Sequence, residues 1–199
     1  MIDIKICHEN IYILDSGLLI HDVEKLIEGC RQNNRHCQEK LYKELYPVYY
    51  ALCKRYLPDK HEALTALNDG MLHVFSNIGK YDASSGDFFA WSYTIVRRAT
   101  LSYMRKRKDQ LRFEDDISQF ADDVSSANTF DERNKSVISN LLEQLPDNIR
   151  VVCILFYMED YTVKEIGSEL NIKEGTVKWH LHEGRRRLKV LSEMNRQHD

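Results

Sequence analysis

Lys178, His182, Arg185, Arg186 and Lys189 recur at spacings near one helical turn within residues 162–189. Cations so spaced line one edge of a helix. Such side chains donate to phosphate oxygens and to the acceptor edges of bases. A second set lies upstream: Trp91 and Tyr93, then Arg97 and Arg98, Tyr103, and Arg105, Lys106, Arg107 and Lys108. No acidic residue interrupts the stretch from Arg97 to Lys108. Rings interleaved with cations suit single-stranded nucleic acid, where bases stack on the rings and cations follow the phosphates. Nowhere does the chain carry a Gly-rich phosphate loop, an HExxH pair or a placed nucleophile and base. The chemistry of both sets is binding.

Two helices joined by a tight turn are predicted to carry the first set. Thr162 and Glu165 have capping-box spacing, in which hydroxyl and carboxylate each satisfy a free backbone N–H at a helix start. Val163, Ile166 and Leu170 follow on one helical face. Asn171 tolerates the left-handed conformation that ends a helix, and Ile172 plugs the corner. Val177, Leu181, Leu188 and Leu191 form the buried stripe of a second, longer helix. Gly175, near its start, leaves room for a phosphate or base edge. This is the helix-turn-helix design, whose second helix enters the major groove of duplex DNA.

The second set belongs to a helix predicted over residues 88–108, capped by Asp87 after the turn cluster YDASSGD at 81–87. Phe88, Phe89 and Ile95 read as core, the cations as DNA ligands, and Trp91 and Tyr93 as either core rings or stacking platforms. Upstream, residues 21–56 read as two helices broken at Gly29 and Asn33-Asn34, with Pro58-Asp59 closing the second. A further helix over 62–78 presents Leu64, Leu67, Met71, Phe75 and Ile78 on one face. Gly70 sits inside it at a cost of about 1 kcal/mol relative to alanine, which implies a packing reason. Residues 137–145 and 149–157 are helical again, with Pro146-Asp147 as stop and restart.

The expected fold class is therefore all-α: two small helical domains joined by an acidic flexible linker, the C-terminal one a four-helix helix-turn-helix domain. The expected boundaries are an N-terminal arm at 1–20, a first domain at 21–108, a linker at 109–135 and a second domain at 136–194. The linker carries Glu114, Asp115, Asp116, Asp122, Asp123, Asp131 and Glu132. Their spacing resembles neither a calcium loop nor a paired-carboxylate nuclease.

Composition sets the outer limits. In 199 residues, 43% are hydrophobic and only 8 are glycine and 3 proline, which fits a globular helical chain. The net charge of −3 hides the segregation of basic from acidic stretches, and local patches govern nucleic-acid binding. Five cysteines without a CxxC pair point to reduced thiols in a cytoplasm. Cys30, His36 and Cys37 lack a fourth ligand at zinc spacing, so neither metal nor cofactor is expected. No apolar run approaches the roughly 20 residues of a membrane span, and no secretion signal is expected at the N-terminus.

The two motif blocks, in this order and at this separation, resemble the extracytoplasmic-function (ECF) group of bacterial sigma factors in the sigma-70 family. The matching stretches are 41–57, 66–82 and 88–108 in the first domain, and 145–170 and 171–188 in the second. The resemblance implies a sigma factor that binds core RNA polymerase and directs promoter recognition, opening and transcription initiation, without being an enzyme. It implies that the first domain docks on the clamp helices of the beta-prime subunit through Asn68, Asp69, Leu72 and Phe75, with the flap of the beta subunit as a further contact. The melted strand would be held by Trp91, Tyr93, Arg97, Arg98, Tyr103, Arg105, Lys106 and Arg107, with the 81–87 loop taking a flipped base. The upstream element would be read by Glu174, Gly175, Thr176, Lys178, Trp179, His182, Arg185 and Arg186. The implied place of action is the bacterial cytoplasm, at the nucleoid.

Several residues depart from the family pattern: Thr65 where an acid is frequent, Gly70 where an aliphatic residue is usual, Arg98 where an asparagine often stands near the captured base, and Trp179 and Glu183 on the reading helix. They raise the expectation that promoter choice depends partly on a second, recruiting protein; the partner expected beside polymerase and promoter is an anti-sigma factor or such a recruiting protein. The competing reading is a helix-turn-helix regulator of the response-regulator or quorum-sensing type, to which TVKWHL is also native. Such regulators carry a receiver or ligand-binding domain of alternating strands and helices, and residues 1–135 read as helices. A nuclease using the acidic segment is the enzymatic alternative.

Overall fold

The computed structural model describes residues 20–106 and 141–196, and every regular element among them is helical. Residues 1–19 of the N-terminal arm with Cys7, the whole acidic stretch at 109–135, Arg107 and the start of the helix expected at 137–145 lie outside the described residues. The chain divides into two compact units between Lys106 and Arg107.

In the first unit, α1 (Ile20–Arg31) and α2 (Arg35–Tyr56) form a hairpin. Asn33 takes the left-handed conformation (φ 57°), and Asn34 caps α2 by accepting from the backbone N–H groups of His36 and Cys37 at 3.0 and 3.2 Å. The two helices approach so closely that a Cβ on Gly29 would lie 2.3 Å from Cys37 Sγ. On α2, Leu41, Leu45, Tyr49, Leu52, Cys53 and Tyr56 are buried, the one-turn periodicity of a core face.

Asp59 does not close α2. Leu57 ends that helix, and Asp59 caps the next by accepting from Glu62 N–H at 3.0 Å. That helix, α3 (Lys60–Asn77), buries Ala63, Ala66, Leu67, Gly70, Met71 and Val74, while Leu64 and Phe75 stay half exposed. The core stripe is thus rotated from the large residues toward the small ones. The reason is α4 (Phe88–Lys106): a Cβ on Gly70 would meet Val96 Cα at 3.0 Å and Cγ1 at 3.1 Å. Small side chains allow the two axes to approach, and Gly70 has the packing reason that its position implied.

In the second unit, α5 (Asp147–Tyr157) buries Val151, Val152, Cys153, Ile154 and Leu155 completely. Arg150, 2% exposed, turns back to the preceding chain end, donating to Leu145 O at 2.8 Å and Glu143 O at 3.3 Å and pairing with Asp147. The expected capping box is present at α6 (Val163–Leu170): Thr162 Oγ1 accepts from Glu165 N–H at 3.2 Å, and Thr162 N–H donates to Glu165 Oε2 at 2.9 Å. Asn171 ends α6 in the left-handed conformation (φ 55°, ψ 49°). The last helix, α7 (Glu174–Arg196), places Val177, Leu181 and Leu188 in the core and leaves Leu191 half exposed. Where α7 crosses α5, a Cβ on Gly184 would lie 2.4 Å from Cys153 Sγ.

Candidate nucleic-acid interfaces

On α7, Glu174, Gly175, His182 and Arg186 are exposed, and Lys178, Trp179 and Arg185 are half exposed. Among the described residues, nothing beyond its chain neighbours and its own helix backbone lies within 4 Å of where a Gly175 side chain would begin, so the helix start is open to an approaching backbone. Thr176 departs from the surface set: at 4% exposure it packs inward beside Val177. His180, at 1%, is also interior, and burial pushes its imidazole down to about 4. It is neutral at physiological pH, which leaves His182 as the exposed imidazole of α7.

Glu183 is a salt-bridge hub. Arg186 donates to its carboxylate through Nε and Nη2, both at 2.7 Å, and Arg187 through Nε at 2.6 Å. The hydrogen bond from Arg186, together with Arg187, holds the Glu183 carboxyl down at about 2 despite partial burial. Arg186 therefore enters any DNA contact already paired. Arg185 points away from this group, its Nε donating to Leu181 O at 3.3 Å.

On α4 the upstream set splits in two. Trp91, Arg98 and Arg105 are seven residues apart and share an outward stripe; Arg98, Arg105 and Lys106 are exposed, Trp91 and Tyr103 half exposed. Arg97 faces the interior at 3% exposure. Tyr93 turns toward α2, its ring edge-on to Tyr49 at 6.4 Å and its hydroxyl accepting from Arg55 Nη2 at 3.3 Å. Arg107 lies outside the described residues. Spacing alone did not separate the faces, because 93 and 97 are one turn apart on the same helix that carries 91 and 98.

The 81–87 segment ahead of α4 is internally braced. Asp82 accepts from Ser84 N–H at 2.9 Å and from the Ser84 hydroxyl at 2.8 Å, which holds its carboxyl below the usual carboxylate range. Asp87 caps α4 by accepting from Phe89 and Ala90 N–H at 2.8 and 3.1 Å. Between them Gly86 takes φ 148°, a region other residues avoid. The Tyr81 hydroxyl spans the loop to Gly86 O at 3.0 Å. The Tyr81 ring packs on Phe88 at 5.2 Å and on Trp91 at 5.4 Å. Arg31 of α1 donates to Tyr81 O at 2.6 Å. Sequence reasoning missed Arg31, since nothing local marks a contact with residues 50 positions away.

The outward face of α3 carries Asn68, Asp69 and Leu72, all exposed, with Phe75 half exposed. Leu72 is 63% exposed, a large apolar side chain in open solvent. Asn68 Oδ1 accepts from the Tyr42 hydroxyl at 2.8 Å. That tyrosine begins a ladder on α2: Tyr42 and Tyr46 lie 6.0 Å apart, and Tyr46 and Tyr50 stack at 5.5 Å.

Known proteins share both units. A family model described as Sigma-70 region 2 matches residues 41–110, and one described as Sigma-70, region 4 matches residues 136–188. Among curated relatives, the ECF RNA polymerase sigma factor SigM of Bacillus subtilis (strain 168) is 31% identical over 154 residues, 74% of this chain and 93% of that protein. SigW of the same strain is 30% identical over 151 residues, 70% of this chain and 80% of that protein. A solved structure of the sigma factor RpoE with the anti-sigma factor NepR from Bartonella quintana aligns over 78% of this chain and 98% of that one, with 20% identity and a TM-score of 0.44.

Proposed function

The chain belongs to the ECF group of the sigma-70 family of RNA polymerase sigma factors, and from that premise we propose how its residues divide the work of transcription initiation. As a sigma factor it binds core RNA polymerase and directs it to promoter DNA. In our reading the α3 face of Asn68, Asp69, Leu72 and Phe75 docks on the clamp helices of the polymerase, and the exposed Leu72 is its apolar anchor. The second unit reads the upstream promoter element through α7, with Lys178, Trp179, His182 and Arg185 toward the bases and Arg186 toward phosphate. The first unit receives the melted strand on the Trp91–Arg98–Arg105 stripe, with the loop at 81–87 taking an unpaired base beside Trp91. Tyr93, Arg97 and Thr176 support these surfaces from within.

The observation that carries this reading is the braced loop next to an outward stripe of ring and cations on α4. Opening a duplex without chemistry requires a preformed receptor for bases that have left the stack. The factor binds rather than catalyses, and its place of action is the bacterial cytoplasm, at the nucleoid. Among the described residues no helix is long and apolar enough to cross a membrane. An anti-sigma factor is a further partner.

A recruiting protein finds support in the Glu183 hub, which leaves Arg186 and Arg187 less charge for DNA. A transcription assay with purified chain, core polymerase and a promoter recovered by genome-wide occupancy mapping tests both points. Promoter-specific transcripts are expected. A chain that fails to co-purify with core enzyme overturns the reading, and full sequence-specific activity without any addition removes the recruiter.

A further inference from the structure

Arg31 is the last residue of α1, a helix outside the residues matched to region 2. Its guanidinium reaches the two carbonyls that bracket the 3-10 turn Ile78–Lys80. Nη2 donates to Tyr81 O at 2.6 Å, and Nε points at Ile78 O at 3.5 Å. Nη1 pairs with Glu28 at 3.3 Å, which holds the group from its own helix. A guanidinium presents its donors in a flat, fixed fork, so a group held on one side by Glu28 fixes the direction of the Tyr81 carbonyl on the other.

Tyr81 passes that constraint on. Its hydroxyl donates to Gly86 O at 3.0 Å, and its ring packs on Trp91 at 5.4 Å. One residue therefore joins the start of the loop, its end and the ring beside it. Arg31 keeps over a third of its side chain in solvent (36%). So exposed a pair with Glu28 adds little to stability on its own account, whereas the bond to Tyr81 O lies where a small shift would displace the loop.

We propose that Arg31 is a positioning residue for promoter opening: it holds Tyr81, and through it the 81–87 loop and Trp91, in the geometry that receives an unpaired base, without itself touching DNA. The proposal rests on the reading of that loop given above.

The test uses holoenzyme assembled from core polymerase and the full chain, on the strongest promoter recovered by occupancy mapping. Permanganate reactivity of unpaired thymines follows opening. Duplex affinity measured at low temperature, before opening, follows the closed complex. Arg31→Ala is expected to bind core and closed promoter as the wild type does and to open it about tenfold more slowly, the loss typical of one charge-assisted hydrogen bond. Arg31→Lys, which keeps a donor for the Tyr81 carbonyl but not the fork, is expected to fall between the two. Opening at the wild-type rate in both variants overturns the proposal. So does a parallel loss of core binding, closed-complex affinity and thermal midpoint, which would make Arg31 structural only. A wild-type chain that forms holoenzyme and opens the promoter keeps the functional reading intact whichever way the variants fall; one that does neither overturns both.

Discussion

At the scale of single residues, charge on α7 is distributed less simply than its sequence reads. A glutamate in a basic stretch would be expected to weaken the attraction for phosphate by simple addition. Here Glu183 does so by engaging two particular arginines. Its carboxyl is held at about 2 against an ordinary 4.5. A depressed carboxylate contributes stability that is present above the unfolded value and is lost as pH falls through the folded one. Glu183→Gln should therefore melt below the wild type at pH 7, and that deficit should shrink between pH 4.5 and pH 2; calorimetry at several pH values checks it. The same variant frees Arg186 and Arg187, so its affinity for nonspecific duplex should rise and become more salt-dependent. For direct readout, Lys178→Ala or Arg185→Ala should each weaken specific duplex binding by about 1–3 kcal/mol if the side chain meets a base edge. Fluorescence anisotropy with specific and scrambled duplexes separates that from a uniform phosphate effect.

At the scale of elements, the helix ends were legible and the helix contacts were not. Thr162, Glu165 and Asn171 act within a few residues of themselves, so spacing alone predicted the cap and the left-handed stop that the structure contains. Thr162→Ala should cost about 1 kcal/mol, visible as a lower thermal midpoint. Gly70 announced a contact without naming its partner, because Val96 lies on another helix. Arg97 was read with its basic neighbours although it faces inward, since composition counts cations and only the packed helix decides their direction. Gly184 was not singled out at all, yet a Cβ there would lie 2.4 Å from Cys153 Sγ on α5. Gly184→Ala should destabilise by about 1–3 kcal/mol through overpacking. Adding Cys153→Ala removes the sulfur that blocks the new methyl and should recover part of the loss, a coupling that a double-mutant cycle measures.

At the scale of the whole molecule, a chain of net charge −3 presents two basic surfaces, one in each compact unit. Binding should therefore weaken steeply as salt rises even though the molecule and its target carry the same sign; a titration from low to physiological salt checks this. The all-α class and the two helices that carry exposed cations were readable because amphipathic periodicity and charge clustering are local in sequence. The bracing of the 81–87 loop was not, because its key donor is contributed by a helix 50 residues earlier.

The buried sulfurs lend themselves to one more use. Cys53 in the first unit and Cys153 in the second are both inaccessible to solvent, and burial pushes their thiols up to about 11 and about 12. Neither can react with an alkylating reagent until its surroundings open. Pulse labelling followed by peptide mass spectrometry would therefore time the opening of each unit separately, in the unmodified chain. The same protein, with and without polymerase or promoter, would report which unit each partner clamps shut.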